Sequence, residues 1–300
     1  MPKSGLLSML AANAASITNR FHTFTGQVWA VKKGVPRFVL KLMDRVLVLS
    51  SSCVLADSES QRRFLIDHGV VKESSIYVLG DGSIAGVDLA RFSFSADVRS
   101  SVRKQLLISA DAVVFLFVGR LTRDKGLLEL VSAFANVAAE NENVHLIIVG
   151  PDEDDISTDM QDMACGFSQR MHSIGFTDRP EDYMNASDVF CLPSYREGFG
   201  SVIIEAAAIG LPAIASNIYG VTDAIEDAKT GVLCEAGSVE ELKSAMSKIV
   251  ADDDFRLTMG AAAKLRAQEK FSERRVTNAL LDFYEARLNT TVTLKESVDL

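Results

Sequence analysis

The chain has 300 residues, 48% hydrophobic and 24% charged, a balance that suits a globular protein of about two domains and excludes a disordered one. Its formal charge of −9 argues against general nucleic-acid binding, and no apolar run reaches the roughly 20 residues needed to span a bilayer. Cys53, Cys165, Cys191 and Cys234 form no CxxC pair, so neither a zinc site nor a disulfide scaffold is expected, and a reducing cytoplasm fits.

The opening, MPKSGLLSMLAANAAS, loosely imitates a signal peptide, but Ser8 and Asn13 interrupt its apolar run, and a first helix is the expectation. Strands are predicted at RFHTF (20–24), VLADS (54–58) and IYVLG (76–80), with an amphipathic segment over 35–51 and a polar helix over 59–69. Among residues 1–50, Lys3, Arg20, Lys32, Lys33, Arg37, Lys41 and Arg45 face a single acid, Asp44. The basic segment 32–45 suits either contact with anionic lipid or an acidic acceptor, or a solvated helix face. A Gly-rich passage, LGDGSIAGVDLARF (79–92), breaks the pattern and reads as an interdomain connection.

A helix over 96–107 opens a regular alternation. Strands are predicted at 112–118, 144–149, 171–176, 188–192, 213–216 and 231–234, with helices between them and further helices near 238–250, 253–268 and 274–288. The tail after Asn289 is expected to fray. This rhythm predicts an α/β fold of βαβ units with parallel sheets. Residues 1–92 look like the later half of one domain, 93–272 like a complete doubly wound domain, and 273–300 like a closing helix and tail.

Two stretches carry chemistry. In FLFVGRLTRDKG a buried strand ends at Gly119, and the following loop bears Arg120, Arg123 and Lys125. Cations at the carboxyl end of a parallel strand, beside a helix start, are where an open α/β sheet binds anions. Arg120 and Lys125 can reach one diphosphate; an ordinary charged loop is the alternative reading. In SYREGFGSVIIEAAAIG, Glu197 precedes a helix that starts near Gly200, and Glu205 lies within it among Val202, Ile203, Ile204 and three alanines. A carboxylate in so apolar a helix needs a partner, either a structural cation or the hydroxyls of a sugar. Gly198 and Gly200 let a ligand approach the free amides of the helix start.

EGFGSVIIEAAAIGLPAIAS resembles the E-x7-E segment of retaining glycosyltransferases of the GT-B fold, particularly glycosyltransferase family 4. VGRLTRDKG, LIIVGP, IGFTDRPEDYMNASDVFCLPS and GVTDAIEDAKTGVL match the family's other segments in order, so the resemblance covers residues 76–270 closely. It implies two Rossmann-like domains, a nucleotide-sugar donor, most simply UDP-linked, and no metal or other cofactor. Arg120 and Lys125 would hold the diphosphate beside Gly119, Glu197 would contact the donor sugar, and Glu205 would bind the ribose. Gly198, Phe199, Gly200, Ser201 and Val202 would lie along the phosphates and sugar, Phe176 and Thr177 by the base, and Gly82 and Ser83 would approach from the other domain.

FHTFTGQVWAVKKG and VLADSESQRRFLI resemble the later half of the acceptor domain in members that build bacterial capsule or O-antigen repeats. The implied acceptor is a polyprenyl-linked or other glycan, met at the inner face of the membrane. His22 matches a histidine facing the active site there; by spacing alone it is equally a packed strand-end histidine. Members of the family place on the order of 150 or more residues in the first domain, so the first domain is expected to be incomplete.

Other motifs fit less well. GDGSIA (80–85) satisfies a loose dinucleotide fingerprint, but no helix follows it. Asp152-Glu153-Asp154 resembles a metal-binding DxD and reads more simply as an acidic loop. The rival functions are a nucleotide-sugar epimerase or phosphorylase on the same architecture, and a non-catalytic nucleotide-binding or partner protein.

Overall fold

The computed structural model describes residues 2–296, and the surroundings of side chains for residues 4–288. The amino-terminal part runs α1 (Pro2–Ala14), β1 (Phe21–Phe24), α2 (Gly34–Ser50), β2 (Cys53–Ala56), α3 (Glu59–Asp67) and β3 (Ile76–Val78). Its strands form a parallel sheet in the order β1-β2-β3. Every residue of β2 is buried, as befits a parallel strand covered on both faces. Helix α3 starts where Ser58 turns its hydroxyl back to accept from the Gln61 amide, an N-cap. Trp29, Leu47, Val54, Leu65 and Ile76 form the core beneath, and Trp29 keeps its indole N–H satisfied on Asp44 at 2.7 Å.

The larger part alternates strictly: α4 (Ala96–Gln105), β4 (Val113–Val118), α5 (Leu127–Glu140), β5 (Val144–Val149), α6 (Ser157–Met163), β6 (Met171–Gly175), α7 (Pro180–Ala186), β7 (Val189–Leu192), α8 (Ser201–Ile209), β8 (Ala213–Ser216), α9 (Val221–Ala224) and β9 (Gly231–Cys234). Helices α10 (Val239–Ala251), α11 (Asp253–Lys270) and α12 (Glu273–Glu296) follow. The parallel sheet has the order β6-β5-β4-β7-β8-β9. Strand order therefore reverses between β4 and β7, and a crevice opens at their carboxyl ends. Asp188 fixes the start of β7 by accepting from Arg99 (2.6 Å), Arg103 (2.7 Å) and the Val114 amide (2.8 Å).

The connection over 79–92 contains no helix or strand, as its glycines predict. It is stitched to the entry of α12: Val87 N–H donates to the Phe271 carbonyl at 2.8 Å and Glu273 N–H to the Val87 carbonyl at 2.9 Å. A Cβ on Gly86, which has φ +69°, would meet that same carbonyl at 2.8 Å. From there α12 returns to the first sheet, where Phe283 packs edge-on against Phe21 with 5.8 Å between ring centroids. The helix continues through Glu296, beyond the 274–288 stretch and past Asn289, where fraying was expected; residues 297–300 lie outside the described ones. Among the described residues no helix is long and apolar enough to cross a membrane.

Candidate active site

The switch point is floored by bare backbone. At Gly150, φ +144°, a Cβ would stand 1.8 Å from the Gly119 carbonyl, so the segments leaving β4 and β5 pass too closely for a side chain. A single turn over 123–125 and Gly126, φ +68°, follow β4. A Cβ on Gly126 would lie 2.1 Å from the Pro193 carbonyl, so only glycine fits between this turn and α5, which starts at Leu127.

Above this floor is a cleft of about 470 Å³. Gly119, Arg120 and Lys125 line one side, and Glu197, Gly198, Phe199, Gly200, Ser201 and Val202 the other. Thr25, Asp57 and Ile84 close it from the amino-terminal part. Gly200, φ +72°, turns the chain into α8, whose first amides lack intrahelical partners and face anions favourably.

The two glutamates fare differently. Lys125 Nζ lies 2.6 Å from Glu197 Oε1, which also accepts from the Ser194 hydroxyl at 2.7 Å. The Glu205 carboxylate has no hydrogen bond to a described residue. Its helix is not apolar all round: Ser201, Val202 and Glu205 lie on an open face while Ile203, Ile204 and the alanines are buried, so Glu205 is half-buried rather than enclosed. Burial pushes its carboxyl up, Arg91 draws it down, and Glu181 adds to the rise.

Arg120, at the rim shared by the cleft and a neighbouring cavity, pairs with Glu153 at 2.8 Å. The acidic run is committed to protein contacts: Asp152 accepts from the Ile156 and Ser157 amides, and Asp154 from the Arg123 amide at 2.8 Å. Among the described residues no group of three or more His, Cys, Asp or Glu is placed to hold a metal ion.

Other expected residues stand outside the cleft. Gly82 and Ser83 brace its wall: a Cβ on Gly82 would meet the Asp57 carbonyl at 2.6 Å, and Ser83 N–H donates to that carbonyl at 2.7 Å. Phe176 is 72% exposed beyond β6, and Thr177 accepts from the Arg179 amide. His22 lines a neighbouring cavity of about 540 Å³ between α1, β1 and α2, which shares Thr25 and Arg120 with the cleft. Burial lowers its imidazole to about 4, so it is neutral at physiological pH. Asp57, Thr25, Ile84 and Ser194 were not foreseen. An acid ending the apolar run VLAD was the available signal for Asp57.

Residues 98–266 match the family described as Glycosyl transferases group 1. The chain belongs to the group 1 glycosyl transferases. This group 1 glycosyl transferase is 31% identical over 288 residues to the capsular polysaccharide biosynthesis glycosyltransferase CapM of Staphylococcus aureus, spanning 96% of this chain and 75% of that protein. It is 28% identical to a D-inositol 3-phosphate glycosyltransferase of Corynebacterium kroppenstedtii, over 82% of this chain and 55% of that one. HepE of Anabaena, solved in complex with UDP and glucose, superimposes with a TM-score of 0.83 at 22% identity, over 95% of this chain and 76% of HepE. That likeness establishes the fold, two Rossmann-like parallel sheets in the GT-B arrangement.

Proposed function

We propose that this enzyme transfers a sugar from a UDP-linked donor to a hydroxyl of a lipid-linked or polysaccharide acceptor in cell-surface glycan synthesis, with retention of configuration and without a metal ion. The observation that carries the reading is the convergence of Arg120, Lys125, Glu197 and the start of α8 on one cleft at the switch point. Two cations and a helix start supply, at a diphosphate, the charge stabilisation that departure of the nucleotide requires. The donor diphosphate takes Lys125 from Glu197, and the freed carboxylate turns to the hydroxyls of the sugar. The Glu205 carboxylate, with no hydrogen bond of its own, is available to a ribose. HepE, with its bound UDP and glucose, supports the donor class, and CapM, named for capsular polysaccharide, supports the acceptor class.

The acceptor would enter through the His22 cavity, which adjoins the cleft. Over that cavity, α2 turns Val35, Phe38, Val39, Leu42 and Leu49 outward, at i, i+3, i+4, i+7 and i+14, with Lys32, Lys33, Arg37, Lys41 and Arg45 nearby. An outward apolar stripe among cations suits a helix lying in an anionic lipid interface. We therefore place the enzyme at the cytoplasmic face of the membrane, where a polyprenyl-linked acceptor is met.

Calorimetric titration with UDP, UDP-GlcNAc and GDP, on wild type, Lys125→Ala and Glu205→Ala, tests the donor site. The expected result is UDP binding that is lost in both variants. Unchanged affinity in the variants, or no nucleotide binding by wild type, overturns the reading.

A further inference from the structure

We infer that Asp57 is a sugar-contacting residue, which takes a hydroxyl of the transferred sugar at the wall of the cleft facing Glu197. The assignment rests on the proposed donor reading and adds to it a contact from the amino-terminal part.

Asp57 stands at the carboxyl end of β2, 3% exposed, and lines the cleft that Lys125 and Glu197 line from the other side. Its backbone is fully employed: the amide donates to Gln61 Oε1 at 3.1 Å, and the carbonyl accepts from Ser83 N–H at 2.7 Å. Its side chain is only partly so, with a hydrogen bond from its own amide. Oδ1 is buried without a hydrogen-bond partner, an arrangement that costs free energy until something fills it. Around it, the Ser58 hydroxyl accepts from the Gln61 amide, Gln61 Nε2 donates to Gln27 Oε1 at 3.5 Å, and Gln27 Nε2 is likewise buried without a partner. Oδ2 leans on the glycine loop, lying 2.6 Å from the place a Cβ on Gly198 would occupy. The glycine thus lets the carboxyl approach the loop that carries Glu197.

The chemistry selects the ligand. Asp57 is flanked by Asp223 of α9 and by Glu197; burial pushes its carboxyl up to about 7, against a hydrogen bond from its own amide and with a smaller push from these two carboxylates. The cations of the cleft, Lys125 and Arg120, are paired with Glu197 and Glu153. A phosphate beside Asp57 and Glu197 would be repelled, whereas a sugar hydroxyl, which both donates and accepts, matches a carboxyl that holds a proton near neutral pH. The cations and the α8 amides take the diphosphate, and the space between Asp57 and Glu197 is left for the sugar.

The test compares UDP with the UDP-sugar that wild type binds most tightly among UDP-glucose, UDP-galactose and UDP-GlcNAc. It uses titration calorimetry on the full chain, with wild type, Asp57→Ala and Asp57→Asn. The expected result is that Asp57→Ala keeps its UDP affinity and weakens on the UDP-sugar by on the order of tenfold. Asp57→Asn, which still donates and accepts, restores most of that loss. From pH 6 to 8.5, the wild type weakens on the UDP-sugar as Asp57 ionises beside Glu197, while Asp57→Asn does not. Equal loss on UDP and UDP-sugar, or no loss on either, overturns the assignment. Should Asp57→Ala fail to fold, Asp57→Asn with the pH dependence of wild type overturns it as well. A wild type that binds no UDP compound instead overturns the donor reading, and is read before any variant.

Discussion

The Lys125 ammonium sits 2.6 Å from the Glu197 carboxylate, joining the loop after β4 to the loop after β7 across the point where strand order reverses. Both side chains are largely shielded, at 16% and 13% exposure, so removing one strands the other. Lys125→Ala is expected to lower stability by about 1–3 kcal/mol and to abolish UDP binding. A double-mutant cycle with Glu197→Ala, read by chemical denaturation, should return a coupling of roughly 1–3 kcal/mol. A coupling near zero would show that the pair is held apart in solution.

Glu205 is expected to trade stability for binding. Burial raises its carboxyl above the ordinary value, so the folded state binds its proton more tightly than the unfolded chain does. Its ionisation therefore destabilises the fold as pH rises through that window, and the penalty is absent below the unfolded value. Glu205→Gln should melt higher than wild type at pH 7, with the gain shrinking towards pH 4, and should lose UDP affinity. Thermal melts at the two pH values, paired with calorimetry, check both halves.

Asp223 caps a helix to which it does not belong. Its carboxylate accepts from the Glu59 amide at 3.1 Å and the Ser60 amide at 3.2 Å, at the start of α3, and also meets the Ser60 hydroxyl. Asp223→Ala is expected to cost about 1–2 kcal/mol, the worth of a helix cap. Because the cap joins the two parts of the molecule, limited proteolysis over 79–92 should quicken in the variant. Unchanged cleavage would mean the contact contributes nothing to holding the parts together.

The outward stripe of α2 makes a membrane prediction. Phe38 and Leu42 are 66% and 47% exposed, so replacing both with Asp should leave the melting temperature nearly unchanged. Co-sedimentation with vesicles containing anionic lipid should fall by an order of magnitude or more. Wild type that stays in the supernatant at low salt would remove the membrane reading.

The doubly wound sheet was legible because its strands are short apolar runs at regular intervals, and the strands over 144–149, 213–216 and 231–234 have the predicted bounds. The cleft was legible where glycines and charges cluster, at Gly119 to Lys125 and at Glu197 to Val202. Glu205 misled because its sequence neighbours are apolar, while the open face of α8 depends on what packs against it. The Arg120–Glu153 and Lys125–Glu197 pairs join loops that only the sheet order brings together. Asp57 was counted within a strand over 54–58; β2 ends at Ala56 because the Asp57 amide is taken by Gln61 rather than by a neighbouring strand.

The chain passes between its two parts twice, through 79–92 and again between α11 and α12, and the passages are bonded side by side at Val87 and Glu273. Two crossings fastened together at one place act as a single joint rather than as two independent linkers, so a break in either covalent path leaves the other still anchored at Val87. Gln27, Phe64 and Ser60 of the first part meet Tyr219 and Asp223 of the second, so the wall bearing Thr25 and Asp57 is held across the cleft from Glu197 by contacts on both sides of that joint.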